Sequence, residues 1–155
     1  MISETFCYKL LINFYKLMEK IVGPFVLLIT RFWMSSIFWY SGIEKITNWE
    51  GTIALFANEY KVPHLPPELA AYMTASAELS CSVLLMLGLL GRLSTIPLLI
   101  ITGVIQFTYM SSQDNMFWAL LLGIILCYGP GPLSIDYLLH KYCIKDIQKN
   151  SGKLY

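Results

Sequence analysis

The sequence predicts an all-α membrane protein, a transmembrane antiparallel four-helix bundle with amphipathic interfacial helices at both termini. Three observations carry that prediction. Of the 155 residues, 56% are hydrophobic and 14% are charged, whereas a soluble domain holds about 25% charged residues. The mean hydropathy is +0.58. The apolar residues gather in four charge-poor runs, and the short connections between the later runs force neighbouring helices to be antiparallel.

Taken in order, residues 1–20 place Lys9, Asn13, Lys16 and Lys20 at helical spacing, with Phe6, Leu10, Phe14 and Leu17 mainly on another face. That pattern suits a basic amphipathic helix lying in a membrane interface. Glu4, Asn13 and Glu19 interrupt any apolar core in this stretch, so no cleavable signal peptide is expected and the first span acts as a signal anchor.

The transmembrane domain is expected over residues 21–132. Its first span, 21–42, is about 30 Å long at helical rise, enough to cross the hydrocarbon core. Gly23-Pro24 opens it, where proline is tolerated. The connection 43–69 contains Pro63, Pro66 and Pro67 and leaves the hydrocarbon as an outer loop. Trp49, Phe56 and Tyr60 suggest that it packs back as a cap, with a short helix over Thr52–Tyr60. Further spans follow at about 70–90, 93–110 and 116–128. Gly88 and Gly91-Arg92 form one turn, and Ser111-Ser112-Gln113-Asp114-Asn115 forms the next. Gly129-Pro130-Gly131-Pro132 stops the fourth span, because proline cannot extend a regular helix. In the tail, 133–155, Ser134 reads as the N-cap of a second interfacial helix with Asp136 in its first turn. Leu138, Leu139 and Tyr142 give that helix an apolar side, and Lys141, Lys145 and Lys149 a basic one.

Orientation follows from the lysines and arginines. One side holds Lys9, Lys16, Lys20, Arg92, Lys141, Lys145, Lys149 and Lys153, and the other only Lys45 and Lys61. Positive charge stays on the cytoplasmic side, so both termini are expected there, in a bacterial or archaeal inner membrane. The cations are dispersed along membrane edges, which argues against nucleic acid as a partner.

Charged residues within a span are costly and are kept for a partner or a purpose. Arg31 lies inside the first span and Glu78 inside the second. Counted from the expected outer ends, Arg31 sits about 16–18 Å deep and Glu78 about 12 Å deep, a gap that an arginine side chain covers. The two are therefore expected to pair. Ser35, Phe38, Gly42 and Lys45 follow Arg31 along one helical face, and Thr74 and Ser82 flank Glu78 by one turn each. Gln106 and Thr102 extend the polar network into the third span. The pair has two readings, a structural tie between helices or a site for a polar head group such as a quinone carbonyl or a lipid phosphate. On the second reading the ligand-binding residues are Arg31, Ser35, Lys45, Glu78 and Gln106.

Cys7, Cys81, Cys127 and Cys143 show no CxxC or metal spacing, so thioredoxin-like chemistry and a metal site are not expected. Cys81 and Cys127 fall at similar expected depth and read as small buried hydrophobes rather than a thiol pair. His64 and His140 are too far apart in the expected topology to share a haem. The four tryptophans, Trp33, Trp39, Trp49 and Trp118, suit interfacial anchoring and packing.

Arg31, Gly42-x-x-Lys45, Pro63, Glu78-Leu79, Leu85-Met86-Leu87-Gly88-Leu89, Arg92 and the run from Gly129 to Asp136 occur in an order that resembles the DoxX family of small membrane proteins. The resemblance covers roughly residues 25–139. It implies a membrane bundle associated with redox complexes, since the family name comes from a subunit linked to thiosulfate:quinone oxidoreductase and terminal quinol oxidase. Distant relatives look like assembly factors or chaperones. No haem, copper, flavin or nicotinamide motif is present in the sequence, so a redox role calls for a partner subunit or a bound quinone; membrane lipids and a second copy of the chain are further expected partners. The alternative expectation is a non-enzymatic membrane scaffold or assembly factor.

Overall fold

The computed structural model describes residues 2–60, 65–108 and 113–142, with side chains described from residue 8 onward. The described residues are helical almost throughout: α1, Ile2–Leu17; a π-helical turn, Met18–Val22; α2, Gly23–Thr47; α3, Trp49–Leu55; a second π-helical turn, Phe56–Tyr60; α4, Pro67–Leu87; α5, Gly91–Thr108; and α6, Gln113–Tyr128. Helix resumes over 135–142, here α7. Three helical stretches are long and apolar enough to cross a membrane: Tyr8–Thr47, Pro67–Leu87 and Gly91–Thr108. Gln113–Tyr128 is apolar but shorter, at about 24 Å of helical rise.

The core lies among α2, α4, α5 and α6. Met34 and Phe38 of α2 meet Cys81 and Leu85 of α4, Leu98 of α5, and Leu122 and Ile125 of α6, all buried. The lipid-ready exterior is apolar as well, with Trp33, Ile100, Phe107 and Leu120 exposed. Beside that apolar core the buried set includes Arg31, Ser35, Glu78, Ser82, Thr95 and Thr102, so polar side chains distinguish the interior from the exterior.

Several boundaries differ from the sequence expectation. Gly42 does not end the first span, and α2 continues five residues further to Thr47. A Cβ on Gly42 would lie 2.8 Å from Cγ of Leu79, so this glycine serves close approach of α4 to α2. The 43–69 connection is mostly helical rather than a loop. At Asn48 the chain leaves α2 (φ −116°, ψ 64°), and the Asn48 side chain accepts from the Gly51 amide to start α3. The Thr52 hydroxyl donates to the carbonyls of Lys45 and Asn48, which fastens α3 to the end of α2. Phe56 and Tyr60 then pack edge to face, 4.9 Å between ring centres, over Ala70 and Ala71 of α4. This end of the bundle is called the capped end below. Lys61, Pro63 and His64 lie outside the described residues, as do Ser111 and Ser112.

The N-terminal segment also differs. Leu17, Val22 and Gly23 all have right-handed helical backbone, so α1 runs through the π-helical turn into α2 without a break. An insertion of one residue keeps a helix hydrogen-bonded while rotating its face, whereas a separate interfacial helix needs a turn that this backbone does not make.

At the other end, the basic end, the α4–α5 turn and the stretch 129–136 are fastened together. Gly88 (φ +67°) closes α4, with the Leu89 amide bonded back to Leu84. Leu90 follows at φ +51°, a left-handed conformation that a leucine adopts only when held. The holding group is Asp136, whose carboxylate accepts from the amides of Leu90 and Gly91, each at 2.8 Å. Its own amide donates to the Gly88 carbonyl at 3.0 Å. As expected, Ser134 caps α7, accepting from the Tyr137 amide at 3.2 Å. Asp136, by contrast, caps α5 from 45 residues away.

Asp136→Ala removes two charge-assisted bonds to backbone amides at the start of α5, each worth about 1.5–3 kcal/mol. The expected outcome is a clear fall in the unfolding midpoint in detergent, with Asp136→Asn retaining part of the loss because one acceptor remains.

Candidate functional site

The expected Arg31–Glu78 pair does not form. The Arg31 guanidinium donates from Nη1 to the Pro130 carbonyl at 2.8 Å and from Nη2 to the Leu133 carbonyl at 3.0 Å. Its Nε is buried without a hydrogen-bond partner. A Cβ on Gly88 would lie 2.5 Å from Nη1, so the glycine leaves room for the arginine beneath the α4–α5 turn. Arg31 thus belongs to the basic end. The cause of the misplacement is the length of α2: five extra residues beyond Gly42 move Arg31 about 7.5 Å further from the capped end.

Glu78 is paired instead with Lys45. The ammonium lies 2.9 Å from both carboxylate oxygens and 2.7 Å from the Ser41 hydroxyl. Glu78 is buried, and 14% of the Lys45 side chain stays exposed. The local sequence explains this. Ser41 and Lys45 stand one helical turn apart on α2, and Gly42 between them lets α4 approach until the Glu78 Cβ is in contact range. Ser35 fills the middle of the same face, its hydroxyl donating to the Ser82 carbonyl at 2.6 Å. The polar stripe of α2 is therefore real, with its two cations at opposite ends and 14 residues, or about 21 Å, between them.

Two cavities adjoin the Lys45–Glu78 pair, and a third meets them at Ile105. One of about 300 Å³ lies among α2, α4, α5 and α6, lined by Ser41, Glu44, Glu78, Thr102, Asn115 and Trp118, with Phe38 among its apolar walls. Phe38 and Trp118 meet edge to face at 6.5 Å and 67°. A second, of about 290 Å³, lies under α3 and carries Lys45, Glu44, Asn48, Thr52 and Tyr60. A third, of about 310 Å³, is an apolar groove between the second π-helical turn, α4 and α5, lined by Phe56, Met73, Ala77, Pro97, Ile101 and Val104 among others. Ile105 borders all three, and Tyr60 borders the last two.

Of the five residues expected to form one site, the structure thus brings Lys45 and Glu78 together and places Arg31 elsewhere. Ser35 bridges α2 to α4 between them. Gln106 is half-buried on α5, outside the lining of these cavities. Ser41, Glu44, Asn115, Trp118 and Ile105 are site-lining residues that the sequence reading missed. The signal for Ser41 was its one-turn spacing from Lys45. Cys81 is buried in the core and Cys127 is exposed, both as free thiols. Cys7 has no described side chain, and Cys143 lies outside the described residues. Among the described residues, no three His, Cys, Asp or Glu side chains group to hold a metal.

Breaking a buried pair by removing one partner costs about 3–5 kcal/mol, because the other charge is left bare. Lys45→Met and Glu78→Met are each expected to destabilise to that degree, and the double variant to recover most of the loss. Arg31→Met and Glu78→Met share no contact, so their effects should add to within about 0.5 kcal/mol. Unfolding of the full set in detergent micelles measures both couplings. A stronger Arg31–Glu78 coupling than Lys45–Glu78 coupling would contradict this geometry.

A family model described as DoxX matches residues 26–111. A relative from Haemophilus influenzae, described as an uncharacterized protein, is 28% identical over 136 residues, covering 80% of this chain and 89% of its own length. No solved structure matches. The family match takes in most of α2, all of α4 and α5, and with them Arg31, Lys45 and Glu78. On that match across more than half of its length, this chain belongs to the DoxX family.

Proposed function

We propose that this membrane protein binds the head of an isoprenoid quinol beside Glu78, as a subunit of a redox-associated membrane complex. The observation that carries this reading is the arrangement of the three cavities. Two polar chambers flank the Lys45–Glu78 pair, and an apolar groove meets them at Ile105 and Tyr60. An amphiphile with a compact polar head and a long apolar tail has that same division.

The chemistry of the lining selects the head. Among the described residues, the chamber beside Glu78 presents the carboxylates of Glu44 and Glu78 and no cation. Two carboxylates at the wall disfavour a phosphate there. A phenolic hydroxyl donates to them. Lys45 already gives hydrogen bonds to Glu78 and Ser41, so it orients the carboxylate rather than reaching out to a carbonyl. Trp118 and Phe38 supply ring faces for an aromatic head. Arg31, with both terminal nitrogens on backbone carbonyls, is assigned to structure.

In this reading α6 is a short fourth span, the basic end faces the cytoplasm of the inner membrane, and both termini lie on that side. A second reading, a scaffold or assembly factor, has one observation in its favour. Tyr8, Leu10, Phe14 and Tyr15 are all exposed along α1, which extends past the bundle as a continuous rod and offers a partner an aromatic and aliphatic face.

The test is mass spectrometry of quinone and lipid extracts from protein purified in mild detergent. Near-stoichiometric quinone is expected with the wild type. Ile105→Trp fills the junction of the three cavities and should lose the quinone while keeping helical content and unfolding midpoint. Wild-type protein free of quinone but carrying a stoichiometric protein partner would favour the scaffold.

A further inference from the structure

The basic end carries a second cleft, unconnected with the Lys45–Glu78 chambers. It is a shallow, open depression of about 590 Å³ lined by Leu90, Arg92, Leu93, Tyr128, Tyr137 and His140, with the segment 129–132 along it. We propose that it is a binding site for the phosphodiester head of an anionic membrane phospholipid.

The polar groups at the cleft sort into spent and unspent. Asp136, the one acid among its described lining residues, is committed to the Leu90 and Gly91 amides and to Arg31 through space. The Ser134 hydroxyl donates to the Gly131 carbonyl at 2.6 Å and accepts from Tyr137. Pro130 and Pro132 have no amide to offer. What remains is the Arg92 guanidinium, the His140 imidazole and the phenols of Tyr128 and Tyr137, none of which makes a side-chain hydrogen bond or ion pair among the described residues. All four are donors, on exposed side chains. With Asp136 occupied by backbone amides, the free charge facing the cleft is that of Arg92, and an anion complements it.

The arginine is also placed. Its Nε lies 3.3 Å from where a Cβ on Gly129 would stand, and Gly129 sits at φ +83°. The left-handed turn and the missing side chain let the guanidinium lie over the loop at the cleft instead of extending away. Leu90 and Leu93 are exposed beside it, which gives the cleft an apolar flank where acyl chains can lie. That flank, continuous with the apolar exterior of α5, points to a lipid rather than a free phosphate. A basic pocket between helices at a membrane face is a recurring form of lipid head-group site.

The test is native mass spectrometry of the full chain in detergent, titrated with phosphatidylglycerol, phosphatidylethanolamine or inorganic phosphate. The wild type should retain phosphatidylglycerol over phosphatidylethanolamine. Arg92→Gln should weaken phosphatidylglycerol binding about fivefold, the effect of one basic residue near an anionic surface. Lys16→Gln, which removes an exposed cation on α1 away from the cleft, should leave it unchanged. The Arg92 side chain makes no hydrogen bond or ion pair among the described residues, so its variant should unfold at the wild-type midpoint. Equal weakening by both variants would reduce the effect to general attraction and overturn the site. Equal retention of both lipids, or displacement of phosphatidylglycerol by millimolar inorganic phosphate, would overturn the lipid assignment.

Discussion

The ion pair between Lys45 and Glu78 is the constraint to which the capped half of the molecule answers. A carboxylate with no exposure to solvent is sustained only by a partner charge and hydrogen bonds of good geometry. Both of its oxygens lie 2.9 Å from one ammonium. Meeting that demand sets the contact between α2 and α4, for which Gly42 gives up its side chain, and the end of α2, which must run past Gly42 for Lys45 to stand on its last turn. It also shapes the cap. Thr52 ties α3 to the Lys45 carbonyl, and the chain then folds back over α4 through Phe56 and Tyr60. The chambers that flank the pair are the spaces left between these obligations.

The opposite end solves a different problem with the other buried cation. Among the described residues, Arg31 has no carboxylate in contact. It binds two carbonyls in a segment where prolines interrupt regular helical bonding. Asp136 completes the exchange by serving amides that the α4–α5 turn leaves unpaired at the start of α5. Arginine and aspartate thereby act as staples between backbone segments far apart in sequence. This leaves Arg92 outside the network and available at the surface. One end of the bundle therefore spends its buried charge on chain closure, and the other keeps a charged pair beside open volume.

Much of the helical plan was legible because it rests on local signals. The three later helices are as apolar as their periodicity required, Ser134 caps the segment that its position suggested, and the stripe from Arg31 to Lys45 occupies one face of α2 as its spacing implied. The partners within that stripe were not legible. Reading Gly42 as a terminator shortened α2 by five residues, which carried Arg31 to the depth of Glu78 and left Lys45 outside the span. A glycine near a helix end has two meanings, a stop or a place of close contact, and only the approach of Leu79 distinguishes them. The role of Asp136 was hidden for a similar reason: the amides it serves lie 45 and 46 residues away. Membership of the DoxX family was readable from scattered residues in order, because those residues include the helix-contact glycines and buried charges that the fold requires.

The central claim is that an aromatic head donating hydrogen bonds lodges between Glu78 and Trp118, with its tail in the groove beyond Ile105. Photoaffinity labelling in native membranes with an azido-substituted quinol analogue tests it directly, with modified peptides located by mass spectrometry. The account predicts labels on the α5 and α6 residues around Ile105 and Trp118, suppressed by excess unlabelled quinol. Labelling spread over exposed positions such as Phe107 and Leu120 and indifferent to competitor would contradict it.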